Sequence, residues 1–238
     1  MVLFDRFPRR RCFSNSSNII VKPPYKVVPI FYYLRKFNAC KNTAIREYYC
    51  YYEKIGNAIK NISEEIPFDA PDNWEWIRVG NLFQHNTGKA LNSSNTKGIK
   101  HKYITTSNLY WGYFKLDSLR EMPFTEEEFE KCSIKKGDLL VCEGGDIGRS
   151  AIWDYDIPMC IQNHIHRLRP YENIEISFYY YVFFLYKHLG FIGGKGIGIQ
   201  GLSSGALAKL LFPLPPIQEQ KRIVCKIEEV FSKIKDEY

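Results

Sequence analysis

The chain has 238 residues, of which 45% are hydrophobic, enough for one substantial soluble domain with its own core. Its longest apolar stretch, residues 178–186, is much shorter than the roughly 20 residues that a membrane-spanning helix needs. The seven cysteines include no C-x-x-C pair, which excludes a zinc knuckle or redox motif. Their odd number, without a secretory signal, predicts a cytoplasmic protein with free thiols.

The net charge of +7 lies entirely in the first quarter of the chain. Through residue 65, Lys and Arg outnumber Asp and Glu by 12 to 5, whereas from residue 66 onward each group counts 21. Bulk charge therefore does not predict nucleic-acid binding by the body of the protein. A nucleic-acid interface would have to be a local concentration of Lys and Arg.

Residues 1–65 are predicted to be an atypical basic segment followed by a linker. Arg9, Arg10 and Arg11 precede a Ser-rich stretch with no helical or strand period, so no element is assigned there. Such a start fits a transit peptide, and equally a cloning or reading-frame oddity. Pro67 and Pro71 then favour extended backbone, and the folded domain is expected to begin at residue 66.

Residues 66–213 are predicted to form an α+β domain. Short β-prone runs separated by glycines predict strands at Tyr103–Thr106, Leu139–Cys142, Ser150–Trp153 and Cys160–Leu168. Thr125 with Glu128 has the spacing of a capping box, which predicts that a helix begins there. A second helix is expected from an N-cap at Ser177 to about Gly190.

Residues 214–238 carry the clearest helical period. After Pro216 the apolar residues are spaced four, three and four apart with Phe231 alongside, which predicts a helix of roughly 35 Å with one apolar stripe. Spacing alone fits a coiled-coil partner and an amphipathic helix packed on its own domain equally well. The predicted interface residues are Ile223, Ile227, Val230, Phe231 and Ile234.

Two sequences imitate cofactor or methyl-transfer motifs without meeting their requirements. Residues 196–201 match the G-x-G-x-x-G dinucleotide fingerprint, but they follow a predicted helix where the fingerprint requires a strand. Residues 22–25, Lys-Pro-Pro-Tyr, place a lysine where an amino-methyltransferase motif needs a hydrogen-bond acceptor for the target amine. No cofactor is predicted.

Two further residue pairs resemble metal-dependent sites but lack a residue that such sites require. Asp138 and Glu143 resemble the carboxylate pair of restriction nucleases, but Gly145 stands where the lysine of that arrangement is needed. His164 and His166 lie two residues apart on a presumed strand, and two imidazoles without a third ligand make a poor metal site. Neither a metal site nor a catalytic residue is predicted.

A local basic and polar stretch is the candidate nucleic-acid interface. Lysines are suited to phosphate contacts, short polar side chains to base edges and a tryptophan to stacking. Composition alone fits a solvated loop with a buried tryptophan at least as well. The residues concerned are Lys89, Lys97, Lys100, Lys102, Thr105, Ser107, Asn108 and Trp111.

Seven short motifs occur in an order that resembles the specificity subunits of type I restriction-modification systems. The resemblance covers the chain from about Tyr51 to its end, and the Pro-Leu-Pro-Pro and Glu-Gln pattern before the heptad helix is its most specific part. The motifs are Glu65–Phe68, Trp74–Arg78, Tyr103–Ile104, Lys136–Leu140, Gly144–Arg149, Gln162–Ile165 and Pro213–Gln220.

The resemblance implies a non-catalytic DNA target-recognition domain with a curved, partly barrel-like β-sheet plus helices. The helix from Pro216 would be a spacer that pairs with a second such helix in a coiled coil. The implied partners are double-stranded DNA, a modification (methyltransferase) subunit and a restriction subunit, with no membrane. Because the family usually carries two recognition domains, this chain would be a half-subunit that forms a homodimer or joins a second half, or a truncated gene product.

The same resemblance implies where DNA would be contacted. Arg149 would bind phosphate, and the loop 193–204, with Lys195 and Gln200, would read bases beside glycines that permit close backbone approach. Two other interpretations remain open at this point: an enzyme that cleaves or methylates DNA unaided, and a protein-interaction module that uses the heptad helix.

Overall fold

A computed structural model describes residues 32–39, 48–55, 57–92, 96–193 and 202–236. The described residues have the predicted α+β class. The helices are α1 (Val79–Leu82), α2 (Glu126–Cys132), α3 (Ile176–His188), α4 (Ser204–Lys209) and α5 (Ile217–Asp236). The strands are β1 (Tyr32–Ala39), β2 (Tyr48–Ile55), β3 (Ala58–Asn61), β4 (Glu75–Arg78), β5 (Phe83–Thr87), β6 (Ile99–Ile104), β7 (Leu109–Tyr110), β8 (Tyr113–Phe114), β9 (Arg120–Phe124), β10 (Ser133–Ile134), β11 (Leu139–Cys142), β12 (Ser150–Ile152), β13 (Met159–Ile161), β14 (Ile165–Pro170) and β15 (Leu211–Leu214).

Two open four-stranded sheets form the centre of the body. One has the strand order β12-β11-β14-β5 and is antiparallel throughout; the other has the order β10-β13-β6-β9 and contains one parallel pair, β13 with β6. These strands form no closed barrel within the described ranges, so the expected partly barrel-like sheet is replaced by two sheets. None of the described helices is long and apolar enough to cross a bilayer.

The predicted strand Cys160–Leu168 is in fact two strands in two different sheets. β13 ends at Ile161, and a turn closed by the Ile165 N–H donating to the Gln162 carbonyl (3.0 Å) starts β14. The Gln162 N–H donates to the Ile104 carbonyl (2.9 Å), which joins this turn to the end of β6. The polar residues between the two apolar runs were the signal for the break. The strand Leu139–Cys142 was predicted correctly.

Helix α3 supplies most of the apolar contacts of the largest core cluster. Most of its side chains are apolar, and they pack against the sheet of β11 and against β15. The Tyr186 hydroxyl donates to the Leu211 carbonyl (2.6 Å). The predicted N-cap at Ser177 is wrong: Glu175 holds that position, without a side-chain cap. The capping box of α2, formed by Thr125 and Glu128, is confirmed.

Helix α5 packs against the domain along its first turns and contacts α3 again at Phe231, whose ring centroid lies 6.3 Å from that of Tyr181. The buried Gln220 amide accepts from the Glu175 N–H (3.0 Å) and donates to the Pro215 carbonyl (2.8 Å), which ties the beginning of α5 to the beginning of α3. Val224 belongs to the core, and Ile223 packs against it. The remaining apolar residues of the stripe become progressively more exposed toward the end of the helix.

Residues that precede the predicted start of the domain at residue 66 also pack on the domain. Tyr51 and Ile62 share a small apolar cluster with Trp76, and the buried Glu53 carboxylate accepts two hydrogen bonds from Arg78 (3.0 and 2.8 Å). The β2–β3 hairpin is therefore joined to the sheet of β4 and β15 through a buried ion pair.

The tight turn before β11 depends on the buried carboxylate of Asp138. Its oxygens accept from the Arg169 Nε and Nη2 atoms (both 2.7 Å) and from the Lys135 N–H (2.7 Å). Gly137 in this turn has φ +88°, a conformation that glycine adopts without strain. The Lys-Gly-Asp sequence thus has a structural explanation: the aspartate closes the turn and neutralises an arginine of β14.

We predict that Asp138→Ala lowers the free energy of unfolding by about 2–4 kcal/mol, because it leaves a partly buried guanidinium and a turn N–H without their acceptor. Chemical denaturation monitored by tryptophan fluorescence measures this. Asp154→Ala is the matched control, since Asp154 is largely exposed beside Lys136, and it should cost less than about 1 kcal/mol. Equal losses in the two variants would contradict a structural role for Asp138.

Candidate nucleic-acid interface

The turn that follows β6 is organised by one buried amide. The Asn108 Oδ1 atom accepts from the Thr105 N–H (3.0 Å) and hydroxyl (2.6 Å), and its Nδ2 donates to the Lys115 carbonyl (3.1 Å). Thr105 and Asn108 are only 7% and 6% exposed. Their polar atoms are bonded within the turn and fix its shape, and base reading by these two residues stays a prediction. Ser107 is exposed at the tip of the same turn, and its hydroxyl lies 2.7 Å from the Thr105 hydroxyl, to which it is hydrogen-bonded.

Arg149 connects this turn to the glycine-rich loop of residues 144–148. Its Nη2 atom donates to the Thr106 carbonyl (2.7 Å), and its guanidinium lies over the Tyr110 ring, 5.5 Å from the centroid. Gly148 precedes it with φ +86°, and a Cβ there would come within 2.9 Å of Ile192. A side chain at position 148 would therefore separate the two segments.

A third segment meets the glycine-rich loop. A Cβ added at Gly193 would contact Ile147 and the Lys187 ammonium, and that ammonium is ion-paired with Asp146 (2.9 Å). Residues 105–108, 144–149 and 190–193 are thus held together, and we call them the three-loop surface. Lys195 and Gln200 lie outside the described residues, in the segment that follows Gly193.

Three of the predicted phosphate-binding lysines are exposed along one strand. Lys97 precedes β6, and Lys100 and Lys102 lie on it two residues apart, so that both side chains leave the strand on the same side. The strand leads directly into the turn of residues 105–108. The three lysines therefore extend a positively charged edge away from the three-loop surface.

Two predicted contacts are occupied inside the protein. The Lys89 ammonium, 9% exposed, is bonded to the Glu128 carboxylate (2.5 Å) and the Pro123 carbonyl (2.7 Å), so it joins β5 to α2 and β9. The Trp111 ring packs against Phe184 (centroids 5.2 Å apart) and other rings of α3. Both side chains therefore hold elements of the fold together, and DNA contact by either of them stays a prediction.

The β7–β8 hairpin brings together a group of residues of which only Tyr113 was expected, as a stacking residue, from the sequence. Tyr110 and Tyr113 face each other across the hairpin with nearly parallel rings (centroids 5.0 Å apart), and the Lys115 ammonium lies 4.8 Å from the centre of the Tyr110 ring. Gly112 has φ +77° in the two-residue turn between them. Aromatic residues on both sides of a glycine turn were the available signal for a hairpin.

The side chains of His85 and His166 are hydrogen-bonded to each other and to the backbone. His166 Nε2 lies 2.6 Å from the Leu202 carbonyl, so this nitrogen carries the proton and His166 Nδ1 accepts from His85 Nε2 (2.9 Å). Leu202 is the first described residue after the gap at residues 194–201. The pair therefore holds Leu202 against β14. The described residues include no group of three or more potential metal ligands.

Burial lowers the pKa of both imidazoles. For His85 the pKa falls to about 4, through burial first and the neighbouring His166 second. For His166 burial again lowers the pKa, although the hydrogen bond to Leu202 opposes the shift. Both rings are therefore neutral near neutral pH, as the hydrogen-bond chain requires.

Comparison with known protein families gives the class of this protein. Residues 71–237 match the family model of the type I restriction modification DNA specificity domain, and the chain belongs to this family. It is 25% identical over 177 residues to the type I restriction enzyme EcoAI specificity subunit of Escherichia coli, and 26% identical over 108 residues to the EcoBI specificity subunit of the same organism. These alignments cover 71% and 44% of this chain.

The chain spans only 30% and 23% of the lengths of these two relatives. Among solved structures, the HsdS subunit from Thermoanaerobacter tengcongensis is similar over 71% of this chain and 40% of its own, with a TM-score of 0.54 and 21% sequence identity. This likeness establishes a shared fold. The shared fold is of the α+β class.

We predict that stability rises with pH between about 4 and 6.5 in part because of His85. The unfolded chain binds a proton on this residue near pH 6.5 and the folded chain only near pH 4, so protonation favours unfolding inside that window. In His85→Gln, which keeps a donor but does not titrate, the melting temperature should fall less steeply between pH 6.5 and 4. His188→Gln removes an exposed imidazole and should keep the wild-type slope. Identical slopes in all three proteins would contradict the assignment.

Proposed function

We propose that this chain recognises a specific DNA sequence for a type I restriction-modification complex, as its specificity subunit or as half of one. In this proposal it performs no catalysis and needs no cofactor, and it directs separate modification (methyltransferase) and restriction subunits in the cytoplasm. The match of residues 71–237 to the DNA specificity domain family carries the proposal. The convergence of three loops on one side of the domain supports it.

The proposed contacts to double-stranded DNA are of two kinds, those to phosphates and those to base edges. Lys97, Lys100 and Lys102 would bind phosphates along the β6 edge and set the orientation of the domain. Ser107, exposed at the tip of its turn, and the segment that contains Lys195 and Gln200 would read base edges. This division keeps the predicted phosphate contacts that are exposed and omits Lys89, Thr105, Asn108 and Trp111, which are occupied within the fold.

The exposed end of α5 favours a helical partner. Val230, Phe231 and Ile234 are 46%, 45% and 50% exposed on one stripe, while the beginning of the helix is packed on the domain. A second α5, from another copy of this chain or from another half-subunit, would bury this stripe in a coiled coil. The same stripe supports a second candidate function, a module that only binds another protein, and the DNA experiments below distinguish the two.

We predict that co-expression with the modification subunit of the same system produces methylation of adenines in one sequence. Ser107→Ala combined with Gln200→Ala should change that sequence at one or two positions, because each removes a side chain that can hydrogen-bond to a base edge. Methylation mapping by single-molecule sequencing measures this, and Ser232→Ala on α5 is the control.

Sequence-independent methylation, or none with the unaltered chain, would refute DNA specificity. An unchanged target sequence in the double variant would remove Ser107 and Gln200 from the readout.

We also predict that Ile234→Glu weakens association through α5 by at least tenfold without lowering the melting temperature, because the residue is half exposed in the isolated chain. Sedimentation velocity of the chain alone and with its modification subunit measures this. Ser232→Glu places the same charge on the opposite side of the helix and should leave association unchanged. Equal effects of the two substitutions would argue against the apolar stripe as the interface.

A further inference from the structure

We propose that Lys115 and Arg149 form a phosphate-binding site on the DNA backbone, with Tyr110 as the surface on which both cations rest. The inference depends on the proposed function: it adds Lys115 and Tyr110, neither of which was predicted from the sequence, to the phosphate contact already expected of Arg149. The Lys115 ammonium and the Arg149 guanidinium lie 4.8 and 5.5 Å from the centre of the same ring.

Neither cation is neutralised within the described parts of the chain. No carboxylate there lies within 4 Å of either group, in contrast to Arg169 and Lys187, which are paired with aspartates. Lys115 is exposed and Arg149 is partly exposed. Two positive charges that are held around one ring and are not paired with a carboxylate favour an anion beside that ring.

The site is held in place by the turn described above. The Asn108 carbonyl accepts from the Lys115 N–H (2.9 Å) and its side-chain amide donates to the Lys115 carbonyl, so the backbone of Lys115 is fixed on both sides. Arg149 is held by the Thr106 carbonyl of the same turn. Both cations are therefore oriented before DNA binds, which reduces the entropy lost on binding.

The position of the site makes a DNA phosphate the ligand. The turn that holds Lys115 and Arg149 also carries Ser107, the exposed candidate for base readout. In a protein–DNA interface, base-reading groups are flanked by contacts to the sugar-phosphate backbone, which set register without carrying sequence information. We accordingly assign Tyr110 a positioning role, with Tyr113 stacked on its ring.

The test is the salt dependence of binding to a fluorescein-labelled random-sequence 30-base-pair duplex, followed by anisotropy with the full chain. Each phosphate contact contributes about 0.9 to the slope of log K against log salt concentration on duplex DNA. Lys115→Ala should lower the magnitude of this slope by about 0.9 and weaken binding several-fold. Lys115→Arg should keep the wild-type slope, because it retains the charge.

Lys136→Ala is the matched control, since Lys136 is equally a surface lysine but is paired with Asp154 and Asp156. It should leave the slope unchanged. If the unaltered chain shows no salt-dependent binding, the proposed function fails and the site with it. If the unaltered chain binds but Lys115→Ala keeps its slope, or Lys136→Ala loses as much, the phosphate site is overturned while the proposed function stands.

Discussion

The candidate interface depends on the hydrogen bonds of one buried amide, that of Asn108. An amide has both a donor and an acceptor, and here both are used to join the two ends of a short loop around the β7–β8 hairpin. Leaving either half unsatisfied in this buried place would cost about 1–3 kcal/mol, so the turn has one stable arrangement. That arrangement places Ser107 outward and orients Lys115 and Arg149.

The second constraint is the crossing of the chain between the two sheets at Gln162. β13 pairs with β6 in parallel, whereas β14 pairs with β11 and β5 in antiparallel fashion, so the turn between them joins both sheets. The same turn region contacts Lys89: the Lys89 N–H donates to the Ile161 carbonyl, and the Lys89 carbonyl accepts from the Asn163 N–H. The Lys89 ammonium bonds in turn to Pro123 of β9 and Glu128 of α2, so this residue links the turn to both elements.

Helix α5 combines two roles along its length. Gln220 and Val224 attach its first turns to α3 and the core, and Phe231 still stacks on Tyr181 of α3. Val230, Phe231 and Ile234 are nevertheless about half exposed. Of the two interpretations that spacing alone left open, packing on the domain describes the helix as far as Phe231, and the coiled-coil partner stays a prediction.

The sequence by itself determined the α+β class, the capping box of α2, the strand Leu139–Cys142 and the helix after Pro216, because each depends on contacts between near neighbours in the chain. It also carried the family resemblance. Only the tertiary structure decided which polar residues are free. Thr105 and Lys89 have the composition of DNA contacts, but their partners, Asn108 and Glu128, are brought to them by folding, and no local pattern specifies whether a polar group will be satisfied inside the protein or left for a ligand.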